Sequence, residues 1–196
     1  IWNAYEFSYL QNGKPKIVVL EISIPSNSKY TVESKSMKLF LNSFFNKNYE
    51  MQAEVINVLT KRISKKCNSE VKIVSKSSFK TFDNDIFTNK PGFMVYKGFR
   101  SICPVTSQPD WGNIYIYSST NTLNKKEIFD FLFSLRNHGG FHEHCIEKTF
   151  LYIKETFSVD HLEICGRFFR RGGIDINPIR STQKKLFFEN FREFNQ

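Results

Sequence analysis

Residues 40–46 read FLNSFFN (Phe40 to Asn46), and residues 131–137 read FLFSLRN (Phe131 to Asn137). Each closes a stretch with a helical pattern. In SKSMKLFLNSFFN (Ser34 to Asn46) the apolar residues Met37, Phe40, Leu41 and Phe44 fall on one face, and KKEIFDFLFSLRN (Lys125 to Asn137) reads as the matching helix. The flanks repeat in the same order. IVVLEISIP (Ile17 to Pro25) predicts a strand, since β-branched residues alternate there before a Pro-Ser-Asn turn, and GNIYIYSS (Gly112 to Ser119) predicts its counterpart. A second helix comes next in each half, at Glu50 to Lys65 (Met51, Val55, Val58, Leu59 and Ile63 on one face) and at Phe141 to Phe157. Each half then closes on a strand, EVKIVSK (Glu70 to Lys76) and HLEICGRFFR (His161 to Arg170). The pattern implies an α+β protein made of two copies of one ββαα-type unit, an antiparallel sheet with its helices on one face. The turn-rich FKTFDNDIFTNKPGF (Phe79 to Phe93) reads as the link, which puts a first module at 1–90 and a second at 91–196.

Composition narrows the class. With 196 residues, 40% hydrophobic and 16% aromatic, the chain has enough apolar mass for a substantial core. No apolar run approaches the ~20 residues that a membrane helix needs, and IWNAYEFSYL lacks the basic and apolar regions of a signal peptide. A cytoplasmic location is expected. The chain opens on Ile1, so we expect further sequence before it in the complete protein. Cys67, Cys103, Cys145 and Cys165 are widely spaced with no CxxC, which argues against a disulfide framework or a zinc ribbon. The 28 basic and 19 acidic side chains leave a net charge of +9, a balance that suits nucleic acid or a phosphorylated small molecule. The densest basic run, KRISKK (Lys61 to Lys66), sits at a helix end where cations complement the dipole.

Three segments carry chemistry-bearing residues. CPVTSQPDWG (Cys103 to Gly112) sets a thiol and a carboxylate at the mouth of a strand; by residue type alone, Cys103 is a small buried hydrophobe and Asp110 a turn residue. RNHGGFHEHC (Arg136 to Cys145) crowds His138, His142, Glu143 and His144 around a Gly-Gly turn that opens a helix, where side chains and unpaired N–H groups can read a ligand together. RRGGIDINP (Arg170 to Pro178) puts two arginines before paired glycines, which suits phosphate with a close backbone approach.

Together with ESKSMKLFLNSF (Glu33 to Phe44), these motifs resemble the NADPH-dependent 7-cyano-7-deazaguanine reductases, the nitrile reductases of queuosine biosynthesis. The likeness spans nearly the whole chain and is to the two-module form, with ESKS in the first half and the cysteine motif in the second. It implies the tunnelling fold and two NADPH-dependent hydride transfers that turn a nitrile into an aminomethyl group. Cys103 matches the nucleophile that forms a covalent thioimide, and Asp110 the general acid. His142 and Glu143 match the substrate-binding pair, joined by Glu33 with the backbone of Val32 and Ser34. Ser34, Lys35, Arg171 and Gly172 match the cofactor contacts. The likeness further implies a homodimer acting on the free base, without direct contact to nucleic acid. No Rossmann GxGxxG is present, so the cofactor needs a different scaffold. Phe141 is placed to stack on nicotinamide or base, or to join the core. Cys67, Cys145 and Cys165 have no matching role and read as packing. The link at 79–97 is short for a two-module member, so residues are missing there or the loop is truncated.

Two other readings stay open. His138, His142, His144 and Cys145 could hold zinc, as in the related cyclohydrolases, although the spacing gives no familiar tetrahedral set and no metal is expected. The basic charge and many aromatics could equally serve an RNA-binding module. Taken alone, Glu-Ser-Lys-Ser is an ordinary helix start, with Ser as cap.

Overall fold

The computed structural model describes residues 1–81, 90–119, 123–194 and 196. Residues 82–89 of the link lie outside the described residues. Two compact units are present, one made of 1–78 with 170–175 and the other of 79–169 with 176–196.

The first unit starts with a hairpin. Strands β1 (Trp2–Gln11) and β2 (Lys14–Ser23) pair antiparallel around Asn12-Gly13, where φ is 50° and 77°. A two-residue turn with both φ values positive matches the strand twist, and Asn-Gly is its preferred sequence. The sequence pattern predicted only the second of these strands, and began it three residues late. A bulge between Ala4 and Phe7 shifts the register of β1, so its alternation is broken where a period-two reading needs it. The sheet order is β3 (Asn48–Tyr49), β1, β2, β4 (Lys72–Lys76), and β9 (Ile174–Ile176), whose first two residues belong to this unit, also pairs with β1.

Helices α1 (Ser34–Asn42) and α2 (Gln52–Cys67) bury Met37 and Leu41, and Val55, Leu59, Ile63 and Cys67, respectively. Helix α1 stops four residues short of the predicted Asn46. Ser43 turns its hydroxyl back to the Phe40 carbonyl at 2.7 Å, while Phe44 leaves the helix and packs on Phe7, Phe40 and Tyr49. Asn68, with φ 48°, closes α2 in the left-handed conformation that ends many helices.

In the second unit a four-stranded antiparallel sheet runs β10 (Ile179–Ser181), β8 (Leu162–Phe168), β7 (Pro109–Ser118), β6 (Phe93–Ile102). Helices α3 (Lys125–Ser134) and α4 (His142–Thr156) cover one face, where Phe99, Ile114, Ile116, Ile164 and Phe168 meet Ile128, Leu132, Ile146 and Ile153. The helical pattern predicted to Asn137 tightens into a 3₁₀ turn over Leu135–Asn137. On the opposite face Tyr115 and Cys165 pack against Phe188 and Phe191 of the C-terminal segment, whose β11 (Phe191–Arg192) pairs in parallel with β5 (Lys80–Thr81).

That segment also supplies hydrogen-bond partners to two buried ionisable side chains of β8. Arg167 is fully buried; it donates to the Asn190 side chain (2.9 Å) and the Glu189 carbonyl (2.8 Å), and its guanidinium lies 4.0 Å from the Phe191 ring centroid. Buried Glu163 accepts from the N–H groups of Phe187 and Phe188 at 2.9 and 2.7 Å. Charges out of water persist only with such partners. Among the described residues no helix is long and apolar enough to cross a membrane.

Candidate active site

In the second unit the site grows from the end of β6. Cys103 donates its N–H to the Gln108 carbonyl (2.9 Å) and accepts from Ser107 (2.9 Å), which closes a tight loop before β7 begins at Pro109. Ser107 takes a φ of 57° to make the turn. Asp110 faces Ser101 directly across the ladder, and Cys103 follows two residues after Ser101, the spacing that puts side chains on one face of an extended strand.

The Gly-Gly turn is brought to the same strand end. Ile102 donates to the His138 carbonyl (2.9 Å) and accepts from Gly140 (3.1 Å), an added β-bridge that delivers the start of α4 to the cysteine loop. His142, the first residue of α4, then sets its Nε2 3.6 Å from Asp110 Oδ1, with both side chains largely buried. Its ring lies against Phe168 at 4.2 Å. Glu143 is half-buried in the first helical turn, where the dipole favours a carboxylate. Phe141, the residue before the helix, is 40% exposed rather than part of the core. Glycine is required at 112: a Cβ there would sit 2.6 Å from the Arg167 carbonyl, so this close approach lets β8 pack beside the acid.

One residue of this cluster escaped the sequence reading. Ser101 is fully buried and its hydroxyl has no hydrogen-bond partner, on the face shared by Cys103 and Asp110. Its signal was available, because residues two apart on a strand point the same way. His138 Nε2 is likewise buried without a partner, and burial, together with Lys148 and His144 nearby, holds its pKa below the ordinary histidine value. The residues considered for zinc diverge: His142 turns to Asp110, His138 and His144 pair edge to face at 5.7 Å, and Cys145 lies in the core. Among the described residues no group of three or more His, Cys, Asp or Glu is arranged to hold a metal. Burial pushes the Cys67, Cys145 and Cys165 thiols up, which makes them poor nucleophiles. None of the four cysteines is in a disulfide.

In the first unit the ESKS motif opens α1. The cap is Glu33 rather than the serine that residue preference predicted. Its carboxylate accepts from the N–H groups of Lys35 (2.7 Å) and Ser36 (2.8 Å) and from the Ser36 hydroxyl (3.0 Å). Burial opposes the charged form, but these donors and the Lys35 charge outweigh it and lower the Glu33 pKa. Val32 precedes the cap and Ser34 is the first helical residue.

One turn further on, Lys38 reaches the Arg171–Ile174 turn, which is closed by an Arg171 N–H to Ile174 carbonyl bond of 3.0 Å. Gly172 and Gly173 take φ of 61° and 77° there. A Cβ on Gly172 would come within 3.1 Å of the Lys38 side chain, and one on Gly173 would strike the Glu6 carboxylate. A cavity of about 30 Å³ opens between Glu6, Lys38, Asn42 and the two glycines. Its lining sets one cation, Lys38, against the Glu6 carboxylate beside bare glycine backbone. Of the residues predicted to hold the cofactor, Ser34, Lys35, Arg171 and Gly172, all belong to this unit and Gly172 lines the cavity.

Known reductases match the chain along its whole length. The NADPH-dependent 7-cyano-7-deazaguanine reductase of Burkholderia vietnamiensis is 34% identical over 227 positions that take in 100% of this chain and 83% of that protein. The chain belongs to this family. The NADPH-dependent 7-cyano-7-deazaguanine reductase of Coxiella burnetii is also 34% identical, over 100% of this chain and 81% of that protein. Residues 1–75 match the family described as "Nitrile reductase, 7-cyano-7-deazaguanine-reductase N-term", and residues 109–186 that described as "QueF-like protein". The 227 aligned positions exceed the 196 residues of this chain by 31, so the Burkholderia relative carries extra residues within the matched span. Among solved structures, "Crystal structure of the archaeosine synthase QueF-Like in the apo form" aligns with a TM-score of 0.41 at 14% identity, covering 47% of this chain and 95% of that one.

Proposed function

We propose that this chain is an NADPH-dependent oxidoreductase that reduces the nitrile of 7-cyano-7-deazaguanine to an aminomethyl group through a thioimide on Cys103. Family membership supports the overall reaction. The observation that carries the mechanism is the pairing of buried Asp110 with His142 on the face that holds Cys103.

The Cys103 sulfur adds to the nitrile carbon, and Asp110 delivers the proton that the nitrogen takes up, giving a C=NH thioimide. His142, in contact with Asp110, orients its carboxyl and shares the proton as charge moves. When bound, NADPH would supply the hydride, twice in succession; the C–S bond breaks between the two, its electron pair returning to the Cys103 sulfur, so one nitrile consumes two NADPH and two protons overall. Glu143 accepts two N–H bonds from the guanine-like edge of the base, a bidentate contact that selects it. Glu33, with the backbone of Val32 and Ser34, supplies a second substrate contact; its cap bonds leave carboxylate lone pairs to spare. Ser34, Lys35, Arg171 and Gly172 hold the cofactor through its phosphates.

We read the chain as two tandem tunnelling-fold modules, 1–90 and 91–196, acting as a cytoplasmic homodimer on the free base rather than on RNA; the 170–175 segment of the second module packs with the first. The repeated strand and helix order supports the modules, and the family resemblance supports the rest. The test is intact mass after mixing protein with 7-cyano-7-deazaguanine and no NADPH. A gain of one substrate mass, absent in Cys103→Ala and cleared by NADPH with loss of its absorbance, is the expected result. No adduct and no NADPH oxidation in the complete protein would overturn the reading.

A further inference from the structure

At its bulge, β1 leaves the register of β2, and the Tyr5 N–H donates instead to the Gly173 carbonyl at 2.9 Å. Tyr5 grips the same turn at two more points. Its phenol donates to the Asp175 carboxylate, and the Arg170 guanidinium lies over its ring, 4.9 Å from the centroid. One residue thus fastens the segment 170–175 at its start, at its second glycine and at its end. Neighbours reinforce the hold: Asn3 donates to the other Asp175 oxygen (2.8 Å), and Glu6 pairs with Arg170 (3.3 Å). Asp175 is only 1% exposed, so its carboxylate depends on these donors.

This arrangement has a purpose beyond packing. Two successive glycines at positive φ form a turn with unusual backbone freedom, and a binding site built on such a turn loses affinity to the entropy of ordering it. We propose that Tyr5 is a positioning residue for NADPH: through its bond to Asp175 it holds the Arg171-Gly172 turn in the conformation that receives the cofactor. The proposal rests on the reading of that turn as part of the cofactor site. It explains why an aromatic with a hydroxyl stands at the bulge, where a bulge re-aims a side chain away from the ladder.

Tyr5→Phe keeps the ring, the Arg170 contact and the backbone bond, and removes only the hydroxyl. NADPH affinity, read by fluorescence titration without substrate, should fall about tenfold, the worth of one hydrogen bond to a charged group. Thioimide formation, read by intact mass without NADPH, should proceed at the wild-type rate. Asp175→Asn, which also disturbs the Asn3 bond, should weaken NADPH at least as much, and the double variant should lose less than the sum of the two, since the Tyr5–Asp175 bond is common to both. Wild-type NADPH affinity in Tyr5→Phe overturns the proposal. Loss of adduct formation alongside affinity also overturns it, because that marks a general loss of fold, and so do additive effects in the double variant. A wild-type protein that forms the adduct yet binds no NADPH removes the cofactor reading itself, and the role of Tyr5 with it.

Discussion

The two units meet the same helix in different ways. Aligned at one constant offset, Met37, Leu41 and Phe44 of the first correspond to Ile128, Leu132 and Leu135 of the second, and all six are buried. Ser43 and Ser134 end the two helices alike, each hydroxyl turned to the carbonyl three residues before it, at 2.7 and 2.6 Å. The caps differ: charged Glu33 in one, the neutral Asn124 amide oxygen in the other. So does the exposed shoulder, where Lys38 borders a cavity but its counterpart Phe129 packs edge to face on Tyr96 at 5.0 Å. The proposed sites differ accordingly. In the proposed function the first unit contributes the start of its helix and the second the Gly-Gly turn beyond the end of its helix, which docks on β6. A shared apolar stripe fixes the scaffold, and the polar positions around it are free to diverge.

The largest expected effect falls on that divergence. Cys103→Ala should abolish both adduct formation and NADPH oxidation, while far-UV circular dichroism stays unchanged because a small buried side chain replaces another. Asp110→Asn keeps the shape but cannot deliver a proton; its turnover, followed as NADPH absorbance, should drop roughly 10²–10⁴-fold. The common stripe gives the next test. Leu41→Ala and Leu132→Ala should each cost about 2–5 kcal/mol in urea unfolding, and a large cost in one unit with none in the other would break the equivalence.

The smallest effect separates the caps. Replacing either by alanine should cost about 1 kcal/mol, yet only Glu33 brings pH dependence. Its pKa is lower folded than unfolded, so its contribution is present above the ordinary carboxylate range and fades as pH falls through the folded value. Thermal melts of Glu33→Gln should therefore lose part of the acid limb, and those of Asn124→Ala should shift equally at every pH.

The stripe was legible because burial imposes a period, and the helices, the closing strands and the repeat itself derive from it. The bulge in β1 was not, since it breaks the period where Tyr5 and Glu6 turn to the 170–175 segment. Cys103, Asp110 and His142 could be singled out from motif resemblance, and the structure brings Asp110 and His142 into contact. Ser101 was missed because a serine in a strand carries no pattern of its own; only its burial without a partner draws the eye. Glu33 as cap was missed because residue preference favours serine there, whereas the longer carboxylate reaches two N–H groups at once.

The late position of segments 170–175 and 187–191 in the chain has a consequence for synthesis on the ribosome. The first unit lacks its β9 contribution until residue 175 has emerged. The second holds an arginine and a glutamate in β8 whose hydrogen-bond partners arrive only with residues 187–190. The first unit cannot finish folding before residue 175 has been made, nor the second before residue 190, and until then each is an incomplete sheet that needs protection from aggregation. A cut after residue 78 would leave the first fragment without residues 170–175, which the second carries, and co-expression rather than separate purification is the route by which the first unit would regain structure.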